Sequence, residues 1–104
     1  MLIRGGENLF PKEIEEYLMS HHKVKEAQVV GIPSEYYGEE PVAFVILKRG
    51  ETATQLELKK YCQERIAYFK VPVFIYFIDS FPQTASGKVQ KFKLKELAIN
   101  KLKK

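Results

Sequence analysis

The run Val42-Ala43-Phe44-Val45-Ile46-Leu47 is apolar at every position. Side chains of a strand alternate between faces, so both faces of a strand formed here are apolar, and such a strand belongs in the middle of a sheet. The chain must therefore supply other strands and helices to cover it.

The neighbouring segments supply them. Val24 to Ile32 reads as a strand with Glu26 and Gln28 facing out, closed by Pro33-Ser34 and followed by a loop over 35–41. Arg49-Gly50-Glu51 makes a turn, and Thr54 with Glu57 three places on is a capping-box signature for a helix to about Tyr68. Val73 to Ile78 reads as the last strand. Upstream, Met1-Leu2-Ile3 is a strand fragment and Arg4-Gly5-Gly6-Glu7-Asn8 a turn. A helix then starts at Pro11, with Glu13 at its positive end, Leu9 and Ile14 as a staple, and Ile14, Tyr17 and Leu18 as its apolar face. The final helix runs from about Phe92, with Leu94, Leu97, Ala98 and Leu102 on its apolar side. Two strands in direct succession among helices predict an α+β domain: a small mixed or antiparallel sheet with about three helices packed on it.

At 104 residues, 45% hydrophobic, the chain is the size of one domain, residues 1–104, with one core. No apolar stretch reaches the roughly 20 residues of a membrane span, the start lacks a signal-peptide pattern, and one cysteine precludes an internal disulfide framework, so a cytoplasmic location is expected. Cys62, in step with Leu58 and Ile66, reads as a core thiol. His21-His22 do not read as a metal site, because adjacent side chains diverge and no partner ligands are apparent; no metal ligand is expected. The net charge of +4 is local: Lys88, Lys91, Lys93, Lys95, Lys101, Lys103 and Lys104 face Glu96 alone, a net of +6, leaving −2 upstream. Such a tail is a solvated helix face or an attractor of nucleic acid, anionic membrane or phosphorylated ligands.

The stretch Phe81-Pro82-Gln83-Thr84-Ala85-Ser86-Gly87-Lys88-Val89-Gln90-Lys91 joins the last strand to the last helix. Gly87 permits a backbone conformation or close approach closed to other residues, and Lys88 is a compact charge suited to phosphate or carboxylate oxygens. The plain alternative is a solvated turn. A phosphate-cradling P-loop is excluded, because Pro82 stands where its first glycine belongs and Val89 where Ser or Thr should follow the lysine.

Four motifs in order, Arg4-Gly5-Gly6-Glu7-Asn8-Leu9-Phe10-Pro11-Lys12-Glu13-Ile14-Glu15, Tyr37-Gly38-Glu39, Phe69-Lys70-Val71-Pro72 and the Lys88 stretch, resemble the C-terminal domain of the adenylate-forming (AMP-binding) enzymes. The Gly-Gly-Glu-Asn form is similar to the acyl-CoA synthetase or ligase branch. The resemblance implies the lid of an ATP-dependent acid-thiol ligase acting on fatty acids, which forms an acyl-adenylate and then an acyl-CoA thioester as the lid alternates between two orientations. It implies that Lys88 is the catalytic lysine of adenylation, with Asn8 also near the adenylate. Gly5, Gly6 and Glu7 then line the CoA channel, and Phe69 lies near the CoA adenine. Tyr37 stands where some relatives carry a basic residue for a CoA phosphate, which puts that contact in doubt. ATP and CoA are implied as substrates, and Mg2+ is implied with ATP but not bound by this domain. The implied partner is the large N-terminal AMP-binding domain, absent from these 104 residues, so no ligase activity is expected of the chain alone. The competing expectation is a free-standing basic module binding nucleic acid or an acidic partner, although Phe92 is the only aromatic residue after Lys88.

Overall fold

The computed structural model describes residues 2–4, 7–35, 38–67 and 70–102, without the side chain of Glu7. Its elements are β1 (Leu2–Arg4), β2 (Glu7–Leu9), α1 (Pro11–Met19), β3 (Val24–Ser34), β4 (Gly38–Leu47), α2 (Gln55–Gln63), β5 (Phe74–Phe77) and α3 (Lys91–Leu102). β4 is the central strand: β3 runs antiparallel to it from Val24↔Leu47 to Ser34↔Gly38, and β5 runs parallel to it from Val42↔Phe74 to Val45↔Phe77. β1 meets β4 antiparallel at Arg4↔Gly38, and β2 completes the sheet beyond β1.

The expected α+β class and mixed sheet are observed, and the unbroken apolar run of β4 has a direct cause. Ala43 and Val45 face a core built with Ile14, Leu18, Leu58, Cys62 and Ile75, under α1 and α2. Val42 and Phe44 face a second core with Val30, Ile32, Phe81, Leu94 and Ala98, under α3. Burial holds the Cys62 thiol up at about 11, so it is a packing group and not a nucleophile.

The structure differs from the sequence reading at several boundaries, among them β4, which begins at Gly38 within the expected loop over 35–41, and on one helix face. Glu7–Leu9 forms a strand where a turn was expected, because it pairs with β1 through Leu2↔Leu9 and Ile3↔Asn8. Pro33-Ser34 does not close β3 but continues it opposite Glu39 and Gly38, tolerable because β3 is an edge strand. α2 stops at Gln63, not near Tyr68; Cys62 O accepts from both Arg65 N–H (3.0 Å) and Ile66 N–H (2.9 Å), tightening the chain into a turn. Its start is as expected, with Thr54 Oγ1 accepting from Glu57 N–H at 3.1 Å, but the Glu57 carboxylate goes to Lys23 Nζ at 3.0 Å. On α3, Leu97 and Leu102 are about two-fifths exposed, and the buried stripe is Leu94 and Ala98. A single flat sheet face covers only a narrow stripe of a helix.

Helix side chains cap parts of the β5 and β3 edges. Along β5, Gln55 Oε1 accepts from Ile75 N–H at 2.7 Å and Lys59 Nζ donates to Val73 O. Along β3, the buried Glu15 of α1 accepts from Val29 N–H at 2.8 Å, while Lys91 of α3 pairs with the same carboxylate at 2.5 Å and reaches Val29 O at 3.3 Å. Helices on opposite faces of the sheet are thus clipped together across this edge at Val29.

His21, just beyond α1, is buried; its Nδ1 accepts from Lys23 N–H at 3.1 Å, and it stacks on His22 with ring centres 4.7 Å apart. Burial first, and then the neighbouring His22, lower its pKa below 6.5, against the opposing pull of Glu57 at 3.9 Å. The unfolded chain therefore takes up this proton first as pH falls. Stability is complete above about pH 6.5 and is lost as pH falls through the lower folded value. His21→Asn, which keeps an acceptor for Lys23 N–H, is expected to flatten the melting-temperature profile between pH 7 and 5; an unchanged slope would assign that loss elsewhere.

Candidate functional site

The Lys88 loop is a small hairpin with packed feet. Phe81 is buried, Val89 packs against the α3-side core, and Gln83 bridges antiparallel to Val89. Gln90 N–H donates to Pro82 O at 2.8 Å, and Thr84 N–H to Lys88 O at 2.8 Å. Thr84 is the hub of the tip: its carbonyl accepts from Gly87 N–H (2.9 Å) and its Oγ1 from Lys88 N–H (3.2 Å), with Ser86 Oγ at 3.0 Å. Gly87 has φ +88, with nothing within 4 Å of where a Cβ would stand. The need for glycine there is conformational, not spatial, which decides between the two roles left open by the sequence.

Lys88 itself is exposed, and among the described residues nothing pairs with its ammonium. The contrast with Lys91, three residues on, is informative. Lys91 is held by Glu15, and Lys101 lies 5.0 Å from the centre of the Tyr76 ring, so part of the basic tail serves the fold. Lys88 is a fixed backbone position carrying a free cation.

Asn8 lies on the other candidate element, the β1–β2 hairpin. It is exposed opposite Ile3, while Leu2 and Leu9 on the alternate positions are buried. Glu7 pairs through its backbone with Arg4. Gly5, Gly6, Phe69 and Tyr37 lie outside the described residues. No hydrogen bond or ion pair joins Asn8 to Lys88, so the structure presents two separate elements. Between β1 and the start of α3 lies a depression of about 290 Å3, lined by Leu2, Gly31, Lys91, Phe92 and others. A larger one, about 430 Å3, lies beyond the far end of β4 beside Lys48, Arg49 and Phe77, away from Asn8 and Lys88. No cluster of His, Cys, Asp or Glu able to hold a metal occurs among the described residues, nor does any helix long and apolar enough to cross a membrane.

Sequence reasoning missed the contributions of Glu15, Gly31 and Glu39. Glu15 and Glu39 stand inside quoted motifs, but only a carboxylate beside the buried face of α1 hinted at the first. Nothing local marked Gly31.

The profile of the family described as AMP-binding enzyme C-terminal domain matches residues 13–88. The chain is 50% identical over 103 residues to a medium-chain acyl-CoA ligase, ACSF2, named as mitochondrial, of Mus musculus, covering 99% of this chain and 17% of that protein. Among solved structures, ATP-bound MatB from Rhodopseudomonas palustris superposes with a TM-score of 0.89 at 34% identity, over 93% of this chain and 19% of that one. A Mycobacterium tuberculosis fatty acyl CoA synthetase gives 0.82 at 36% identity, over 93% and 19%. The chain thus spans under a fifth of the length of each of these proteins.

Proposed function

This chain belongs to the AMP-binding enzyme C-terminal domain family, and from that premise we propose that it is the lid of an ATP-dependent acyl-CoA ligase. In the first step a substrate carboxylate oxygen attacks the α-phosphorus of ATP and the bond to pyrophosphate breaks. In the second, the CoA sulfur attacks the acyl carbon and AMP leaves. The single observation that carries the reading is the free Lys88 ammonium on a loop whose feet are packed and whose tip is hydrogen-bonded. A positioned cation with no partner among the described residues can meet the gathering negative charge of carboxylate and phosphate without first breaking an ion pair.

The β1–β2 hairpin serves the second step. Gly5, Gly6 and Glu7 line the channel for the pantetheine arm, Phe69 lies near the CoA adenine and Asn8 near the adenylate. Mg2+ accompanies ATP and is held outside this domain. The acid is a fatty acid, in keeping with the names of the relatives. The enzyme is read as cytoplasmic, although the name of the mouse relative places that protein in mitochondria. The partner of the lid is a large N-terminal AMP-binding domain that carries the acyl pocket. The isolated 104-residue chain accordingly forms no thioester from ATP, fatty acid and CoA, and detectable acyl-CoA from it alone would refute the lid assignment. The reading is tested by measuring the two half-reactions separately in the complete enzyme carrying Lys88→Ala: selective loss of adenylation supports it, and survival of both steps refutes it.

A further inference from the structure

Among the described residues the β1–β2 hairpin has little sheet pairing to hold it: beyond its internal ladder, β1 meets β4 in register at Arg4↔Gly38. Three features of the neighbouring strands compensate. Gly31 of β3 is buried, with no positive φ to demand a glycine. A Cβ built there would stand 2.5 Å from Leu2 Cδ2, 3.2 Å from Leu2 Cδ1 and 2.8 Å from Glu39 Oε2. The missing side chain is a notch, and Leu2 fills it. Gly38, at φ +84, brings β4 close enough that a Cβ would lie 3.3 Å from Ile3 O. Glu39 Oε1 accepts a long hydrogen bond, 3.4 Å, from Ile3 N–H.

We propose that Gly31, Gly38 and Glu39 form a socket whose function is to position the β1–β2 hairpin for thioester formation. All three are positioning residues. The proposal rests on the reading that this hairpin lines the CoA channel. A Cβ at Gly31 would meet the ends of two side chains, Leu2 and Glu39, and no backbone of the core; Leu2 is buried, so its methyls have little room to turn aside. The strain is therefore relieved by displacing the hairpin, and a displacement of about 1 Å is enough to cost one to two orders of magnitude in a step that depends on alignment. Adenylation, which relies on the Lys88 loop, is built on separate contacts at Thr84, Phe81 and Val89 and is spared.

The test uses the complete enzyme with Gly31→Ala, Gly31→Ala combined with Leu2→Val, Glu39→Ala, Glu39→Gln and, as an independent marker of the channel, Gly6→Leu. Each is assayed for adenylate formation from acid and ATP, and for thioester formation from supplied acyl-adenylate and CoA. Gly31→Ala is expected to slow thioester formation about tenfold with adenylation unchanged. Leu2→Val, which removes both Cδ atoms and so the closest of the contacts, restores much of the rate in the double variant. Glu39→Ala slows the same step, and Glu39→Gln, which keeps an acceptor for Ile3 N–H, does not. Unchanged thioester formation in Gly31→Ala overturns the proposal, as does an equal fall in both steps or failure of Leu2→Val to rescue. If Gly6→Leu blocks thioester formation while Gly31→Ala does not, the socket alone is wrong. If Gly6→Leu leaves the step intact, the channel reading falls and the socket's role falls with it.

Discussion

In the complete enzyme, Lys88→Ala is expected to slow adenylate formation about a hundredfold to a thousandfold, the usual cost of removing one preorganised group from developing charge. Thioester formation from supplied acyl-adenylate is expected to stay within about threefold of the parent rate, because the proposed function assigns that step to the hairpin and not to this ammonium. The separation is readable because the substitution leaves the fold alone. Lys88 is exposed, its side chain has no described partner, and its loop is held by backbone groups and Thr84 Oγ1, all of which remain. An unchanged unfolding midpoint checks this. Lys88→Arg is expected to recover only part of the rate, since a planar fork does not replace a compact charge where one oxygen pair must be bridged. If both half-reactions fail in a folded enzyme, the division of labour between the two elements is wrong.

The second large effect concerns the fold. Glu15→Ala is expected to destabilise the domain by about 2–3 kcal/mol, read as a lower urea midpoint at unchanged slope. The carboxylate is buried and holds both Val29 N–H and Lys91. Removing it orphans the backbone donor, whereas Lys91, 43% exposed, can turn to water, so its half of the ion pair contributes little to the loss. Glu15→Gln keeps an acceptor for Val29 N–H and is expected to cost about 1 kcal/mol. Equal losses for the two variants would show that the charge, and not the capped strand edge, carries the stability.

Residues near one another in the chain made much of this legible. The unbroken apolar run over Val42 to Leu47 identified the central strand, because side-chain alternation leaves a residue no choice of face. Pro11, and Thr54 before Glu57, marked the two helix starts, since a cap concerns only the turn beside it. Gly87 before Lys88 pointed to a presented cation, and the motif order pointed to the family. Three features needed the folded chain. Glu15 and Lys91, 76 residues apart, meet only because α1 and α3 cover opposite faces of one edge strand. Gly31 has ordinary strand geometry, and its glycine is required by Glu39 and above all by Leu2, delivered there by the pairing of β1 with β4. β2 is a strand because β1 lies beside it. The other elements, the central strand and the presented lysine could be read from the sequence, because these depend on periodicity and local sterics. How the hairpin is seated and the β3 edge clipped came only with the folded chain, because a notch, a clip or a ladder exists only once distant residues share a space.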